Sequence, residues 1–186
     1  AGLVAEVDTA ALRKLQDAGT IATLDRNCRN TLPIITQIQA LTGADLEDAK
    51  VADGPLVDYE DVGEGAAAEV RSLVTWLKMM ISDEKVKPGE ITIIAVDESL
   101  EWMDHLSPQF RNSVKIVDSD LIEQWPINSI SVSTPTAFKG LENTAIAIIG
   151  LGGLTADIES RNRMYVAMSR AKALLWIAVP PSLGSD

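Results

Sequence analysis

Short apolar runs alternate with segments of helical periodicity along this chain, and that alternation is the feature that most narrows its fold. Ile91 to Val96, Ile130 to Thr134, Ala145 to Gly150 and Leu174 to Val179 are rich in β-branched or small apolar residues and bounded by turn signals. Each reads as a strand, and Ile91 to Val96 as a buried one. Leu56 to Tyr59 and Val114 to Val117 add two more strands, and Ile21 to Leu24 a further short one. Between them, Thr31 to Leu41, Glu64 to Ile81, Glu98 to Leu106 and Asp157 to Lys172 read as helices. Asp8 to Asp17 reads as a leading helix stopped by Gly19. Pro33 falls in a first turn, where proline is tolerated, and Gly43 is a stop signal. Thr155 is a candidate cap for the last helix. The pattern predicts an α/β domain: a mostly parallel sheet with helices on both faces. We expect a leading segment at 1–19, one domain over 20–181, and a frayed tail at 182–186.

Composition limits the function classes. The chain has 186 residues, enough for one core, and carries 16 basic against 27 acidic residues for a net charge of −11. A domain that grips nucleic acid by charge alone would be basic, so any such contact must be local or borrowed from a neighbour. No apolar run approaches bilayer length, and the first residues carry no basic start before an apolar stretch. A single cysteine, Cys28, rules out an internal disulfide. These features lead us to expect a cytoplasmic location and no membrane partner. Ala1 as the first residue suggests a piece of a longer protein.

Three segments carry possible chemistry. Leu24 to Thr31 leaves a strand for a helix, with Arg29 in the turn and Asn30 or Thr31 available as a cap. In open α/β sheets ligands gather at the carboxyl ends of strands, so Arg29 is expected to reach out there. Ser133 to Glu142 links two strands; Thr134 and Thr136 offer hydroxyls, Lys139 a charge, Gly140 a close approach or a positive φ, and Glu142 an acceptor. Arg161 to Lys172 places Arg163, Val166, Ala167 and Arg170 on one helical face. Taken singly, each string also suits a solvated connection or a helix end whose dipole favours basic residues.

In order, the three strings resemble motifs IV, V and VI of the UvrD/Rep/PcrA-like superfamily 1 DNA helicases. Leu24 to Asn30 is similar to Leu-x-x-Asn-Tyr-Arg-Ser, Thr134 to Glu142 to Thr-x-His-x-x-Lys-Gly-Leu-Glu, and Tyr165 to Ala171 to Tyr-Val-Ala-Leu-Thr-Arg-Ala. The tyrosine of the first string is Cys28 here, and the histidine of the second is Thr136. The resemblance implies a RecA-like second motor domain that completes an ATP and Mg²⁺ site held mainly by a missing N-terminal RecA-like domain. It implies Arg29 and Arg170 as catalytic arginines at the γ-phosphate. It also implies Gly140, Glu142 and Cys28 at the nucleotide, and Thr134, Thr136 and Lys139 toward single-stranded DNA. An arginine suits that task because it is planar, always charged and bidentate.

The chain lacks Gly-x-x-x-x-Gly-Lys-Ser/Thr, and its acidic pair Asp97-Glu98 lacks company and falls between the wrong motifs for a magnesium-binding pair, so alone it is expected not to hydrolyse ATP. A rival expectation is a RecA-like scaffold without turnover in a repair or defence complex. A dinucleotide-binding domain would need a glycine-rich turn after the first strand, and Leu24 to Thr31 has no glycine. His105 beside Asp104 reads as a surface pair. No Cys/His spacing suits a metal. Trp76, Trp102 and Trp176 read as packing residues, and Trp125 as the one tryptophan on an exposed loop.

Overall fold

The computed structural model describes residues 29–44 and 53–183. The expected leading helix, the strand Ile21 to Leu24, and Cys28 lie outside the described residues.

Among the described residues, five helices and six strands follow in chain order: α1 (Leu32–Thr42), β1 (Asp58–Asp61), α2 (Ala66–Ser82), β2 (Ile91–Ala95), α3 (Pro108–Arg111), β3 (Val114–Ile116), α4 (Ser119–Glu123), β4 (Ile130–Ser133), β5 (Asn143–Ile149), α5 (Ile158–Met168) and β6 (Ala171–Val179). The strands form one sheet in the order β1-β6-β5-β2-β4-β3. Every pairing is parallel, as the βαβ-like alternation predicts.

Strand alternation splits the core in two. Ile91, Ile93, Ala95, Ala145, Ala147, Ile149 and Trp176 face α2, whose Val70, Leu73, Trp76, Leu77 and Met80 are buried against them. The Trp76 and Trp176 rings stack with centroids 5.6 Å apart. Ile94, Ile146, Ile148, Leu175 and Ile177 face the other way, toward Ile34 and Ile38 of α1 and Ala167 and Met168 of α5. A sheet covered on both sides explains why β2 is buried at all five positions.

Several boundaries differ from the sequence expectation for local reasons. The apolar Leu56 is 83% exposed, and β1 forms two residues later, where Asp58 to Asp61 pairs with Trp176 to Val179. Glu98 has φ +61, and the Asp97 side chain accepts from the Ser99 amide at 3.1 Å. That turn delays the expected helix, leaving a 3-10 turn at Glu101–His105. Asp157 rather than Thr155 caps α5, accepting from the Ser160 amide at 2.7 Å. The same helix ends at Met168, and Ala171 and Lys172 belong to β6. The short α3 and α4 have no periodic pattern to announce them; Ser107 and Asp118 cap them.

Other expectations meet contacts. Trp125 is half-buried and sits edge-on to Phe138 at 5.4 Å, so it packs rather than standing free on a loop. Asp104 pairs with Arg111 at 2.8 Å instead of with its neighbour His105. The Leu183 amide donates to Pro180 O at 2.9 Å, drawing the start of the expected tail into a turn. No helix among the described residues is long and apolar enough to cross a membrane, and among them no group of three His, Cys, Asp or Glu could hold a metal.

Candidate functional site

The β4–β5 crossover runs from one rim of the sheet to the other, and so divides the sequence-predicted residues between two places. Thr134 and Thr136 follow the carboxyl end of β4. Gly140 and Glu142 precede the amino end of β5, beside Arg170 and Lys172 at the amino end of β6. Phe138, fully buried between them, anchors the crossover to the α1/α5 side of the sheet.

Four charged side chains meet at the amino rim. Arg29 Nε lies 2.6 Å from Glu142 Oε2, and Lys172 Nζ lies 2.9 Å from Glu142 Oε1. Arg170 stands beside them: its Nε donates to Val166 O at 3.1 Å and its Nη1 to Leu141 O at 3.3 Å. The Lys172 hydrogen bond, aided by the charges of Lys172, Arg29 and Arg170, holds the Glu142 carboxyl below its usual range against a smaller opposing effect of burial. Burial, then the nearby Arg29 charge, lowers the Arg170 guanidinium from its ordinary value, with Tyr165 and Glu142 opposing. The cluster is therefore at the amino ends of β5 and β6, while the strand Ile21 to Leu24, from whose end Arg29 is expected to reach out, lies outside the described residues.

Backbone devices set this geometry. Asn30, only 1% exposed, donates from Nδ2 to Ser169 O at 3.1 Å and to Ala171 O at 2.6 Å. It thereby ties the residue beside Arg29 to the residues flanking Arg170. The Asn143 amide donates to Arg170 O at 3.1 Å, fixing the α5–β6 junction against β5. Gly140 has φ +90, and a Cβ there would meet nothing within 4 Å. The left-handed backbone conformation alone therefore favours glycine here, without any close neighbour among the described residues. Of the two caps considered for the turn, Thr31 stands at the N-cap without a side-chain cap bond, and Asn30 faces the sheet.

The carboxyl rim is acidic. Thr134 Oγ1 accepts from the Ala137 amide at 3.3 Å, and the Thr136 hydroxyl donates to the Glu98 carboxylate. Glu69 accepts from the Gly150 amide at 3.0 Å, and burial followed by the Asp97 charge raises its carboxyl above the usual range despite that bond. Lys139 is exposed on the crossover between the rims. Arg163, expected to share a face with Arg170, pairs with Glu159 at 2.9 Å nearer this end.

Sequence reasoning did not single out Lys172, and it set Glu98 aside with Asp97. Lys172 reads as the end of a helix in sequence; only the early stop at Met168 puts it on β6, facing Glu142. Glu98 joins Thr136 through a turn with a positive φ that no string announces.

Fold and rim together define a RecA-like α/β domain, with its charged cluster at one end of a parallel sheet. No family model matches the sequence, and no curated protein matches it. Among solved structures, the chain is similar to the C-terminal domain of a possible DNA helicase from Lactobacillus plantarum WCFS1, with 19% identity and a TM-score of 0.59. That likeness covers 84% of this chain and 92% of the other. At this identity it establishes a shared fold.

Proposed function

We propose that this chain is the second motor domain of an ATP-driven DNA helicase or translocase of the UvrD-like superfamily 1 kind. The observation that supports this reading most is the meeting of Arg29 and Arg170, distant in sequence, around Glu142 at one rim. In the proposal, that rim faces a nucleotide whose phosphates and Mg²⁺ are held by an N-terminal RecA-like domain. Charge develops on the γ-phosphoryl oxygens during hydrolysis, and a positioned guanidinium stabilises it. Arg170 is suited to that part because two backbone carbonyls hold it and little reorganisation is needed. Arg29, with 48% of its side chain exposed, is placed to swing toward the ligand. Glu142 would take the ribose hydroxyls, and Thr134, Thr136 and Lys139 would lie toward single-stranded DNA. Domain closure then couples the two ligands.

The chain by itself holds no phosphate loop, so it is proposed to be inactive in ATP hydrolysis. The test belongs to the longer protein. Arg170→Gln there should lower the ATPase kcat by about 10³-fold or more while the nucleotide, held mainly by the N-terminal domain, still binds and a cooperative thermal transition remains. A kcat within a few-fold of wild type would refute the assignment.

One observation favours a second reading. The guanidinium bonds of Arg170 go to backbone carbonyls of its own domain, as they would in a RecA-like scaffold that never turns over. In that case Arg170→Gln lowers stability and no ATPase exists to lose.

A further inference from the structure

We propose that Glu142 is a built-in substitute for a phosphate group: clasped between Arg29 and Lys172, it offsets part of the amino rim's positive charge until a polyphosphate displaces it. This rests on the reading that the rim faces the phosphates of a nucleotide. It goes further in two respects: it assigns a role to Lys172, which the motifs leave out, and it gives Glu142 the task of a competitor.

The clasp has the form of an occupied anion site. The two oxygens of one planar carboxylate are divided between two cations, Oε2 to Arg29 at 2.6 Å and Oε1 to Lys172 at 2.9 Å. Arg170 is near enough to act on the same carboxylate through its charge. Two oxygens on one centre, held by a guanidinium and an ammonium, are what a terminal phosphate would also present. Three cations to one carboxylate leave an excess of positive charge here, in a chain whose net charge is −11. A phosphate bearing more charge than a carboxylate is the stronger partner for that excess.

Exchange is physically accessible. The side chains of Arg29 and Lys172 are each 48% exposed and that of Glu142 34% exposed, so a ligand can reach all three from solvent. Ion pairs at such exposure are weak and easily traded. Arg170, by contrast, is held by Val166 O and Leu141 O and stays in place during the exchange. The order of events follows: phosphate arrives, Glu142 is released, and its oxygens become available to another group of the same ligand. A ligand without phosphates cannot release Glu142.

Inorganic tripolyphosphate, which has no ribose, isolates the effect. Its affinity for this 186-residue chain is measured by calorimetry at low salt without magnesium, for wild type, Glu142→Gln, Arg170→Gln and the double variant Glu142→Gln/Lys172→Met. Removing the competitor should tighten binding about five-fold in Glu142→Gln, and removing Lys172 in that background should weaken it by a similar factor. Arg170→Gln should weaken it as well. Affinity equal to or below wild type in Glu142→Gln overturns the clasp; if Arg170→Gln still weakens binding, the anion-site reading stands without it. No binding by either wild type or Glu142→Gln overturns both. Should Glu142→Gln fail to fold, the wild-type chain decides by NMR. The Glu142 carboxyl carbon must shift on saturation with tripolyphosphate, and a resonance that stays put overturns the clasp.

Discussion

Glu142 is surrounded by positive charge, and its stability contribution therefore has a definite pH dependence. Lys172 and the two arginines lower its carboxyl in the folded chain, so between the unfolded and folded values the unfolded state binds more protons. The contribution is present above the unfolded value, about 4.3, and is lost as pH falls through the lower folded value. Glu142→Gln should accordingly be slightly less stable than wild type at neutral pH, by under about 1 kcal/mol given the exposure of the pairs. The two urea midpoints should converge below the carboxylate range. A gap that persists or widens in acid would mean that the ion pairs are not its source. The same substitution is expected to tighten tripolyphosphate binding, so stability and affinity should move in opposite directions.

Between elements, the Asn30 side chain links α1 to the junction of α5 and β6. Its two bonds to the Ser169 and Ala171 carbonyls are buried, and Asn30→Ala would leave both acceptors without that donor. The expected loss is about 1–3 kcal/mol in urea unfolding; a change within a few tenths would show that the link is unimportant. Sequence periodicity found the elements that depend on their own pattern. α1 and α2 lie within two residues of expectation because their apolar spacing and Gly43 are local signals. It failed where a distant partner decides. α5 stops at Met168 because distant partners take the residues after it: Ala171 pairs in register with Asn143 of β5, and Asn30 bonds the Ser169 and Ala171 carbonyls. β1 begins at Asp58, not Leu56, because β6 selects the residues it pairs with. For the same reason the strings could nominate Arg29, Arg170 and Glu142 but not Lys172, whose place depends on where the helix ends.

At the scale of the whole molecule, charge is divided between opposite rims. Arg29, Arg170 and Lys172 gather at the amino ends of β5 and β6, while Glu69, Asp97 and Glu98 lie at the carboxyl ends of β2 and β5 and on α2. The Thr136 hydroxyl is already donated to one of those carboxylates. With a net charge of −11, this chain should show no saturable binding to single-stranded DNA at about 150 mM salt by fluorescence anisotropy. Tight, salt-resistant binding would demand a contact surface that the division of charge does not supply. Composition anticipated the overall acidity, but the separation into rims arises from the crossover 134–142 and could not be read from any one segment.

The strand order carries a consequence for synthesis. β1 pairs only with β6 among the described strands, and β6 is the last of them to leave the ribosome. Until Val179 has emerged, the backbone of Asp58 to Asp61 lacks its strand neighbour among the described residues, and Trp76 lacks the ring it stacks on. A nascent chain paused before residue 171 is thus an open sheet with a missing interior strand, a species open to chaperones and to mispairing.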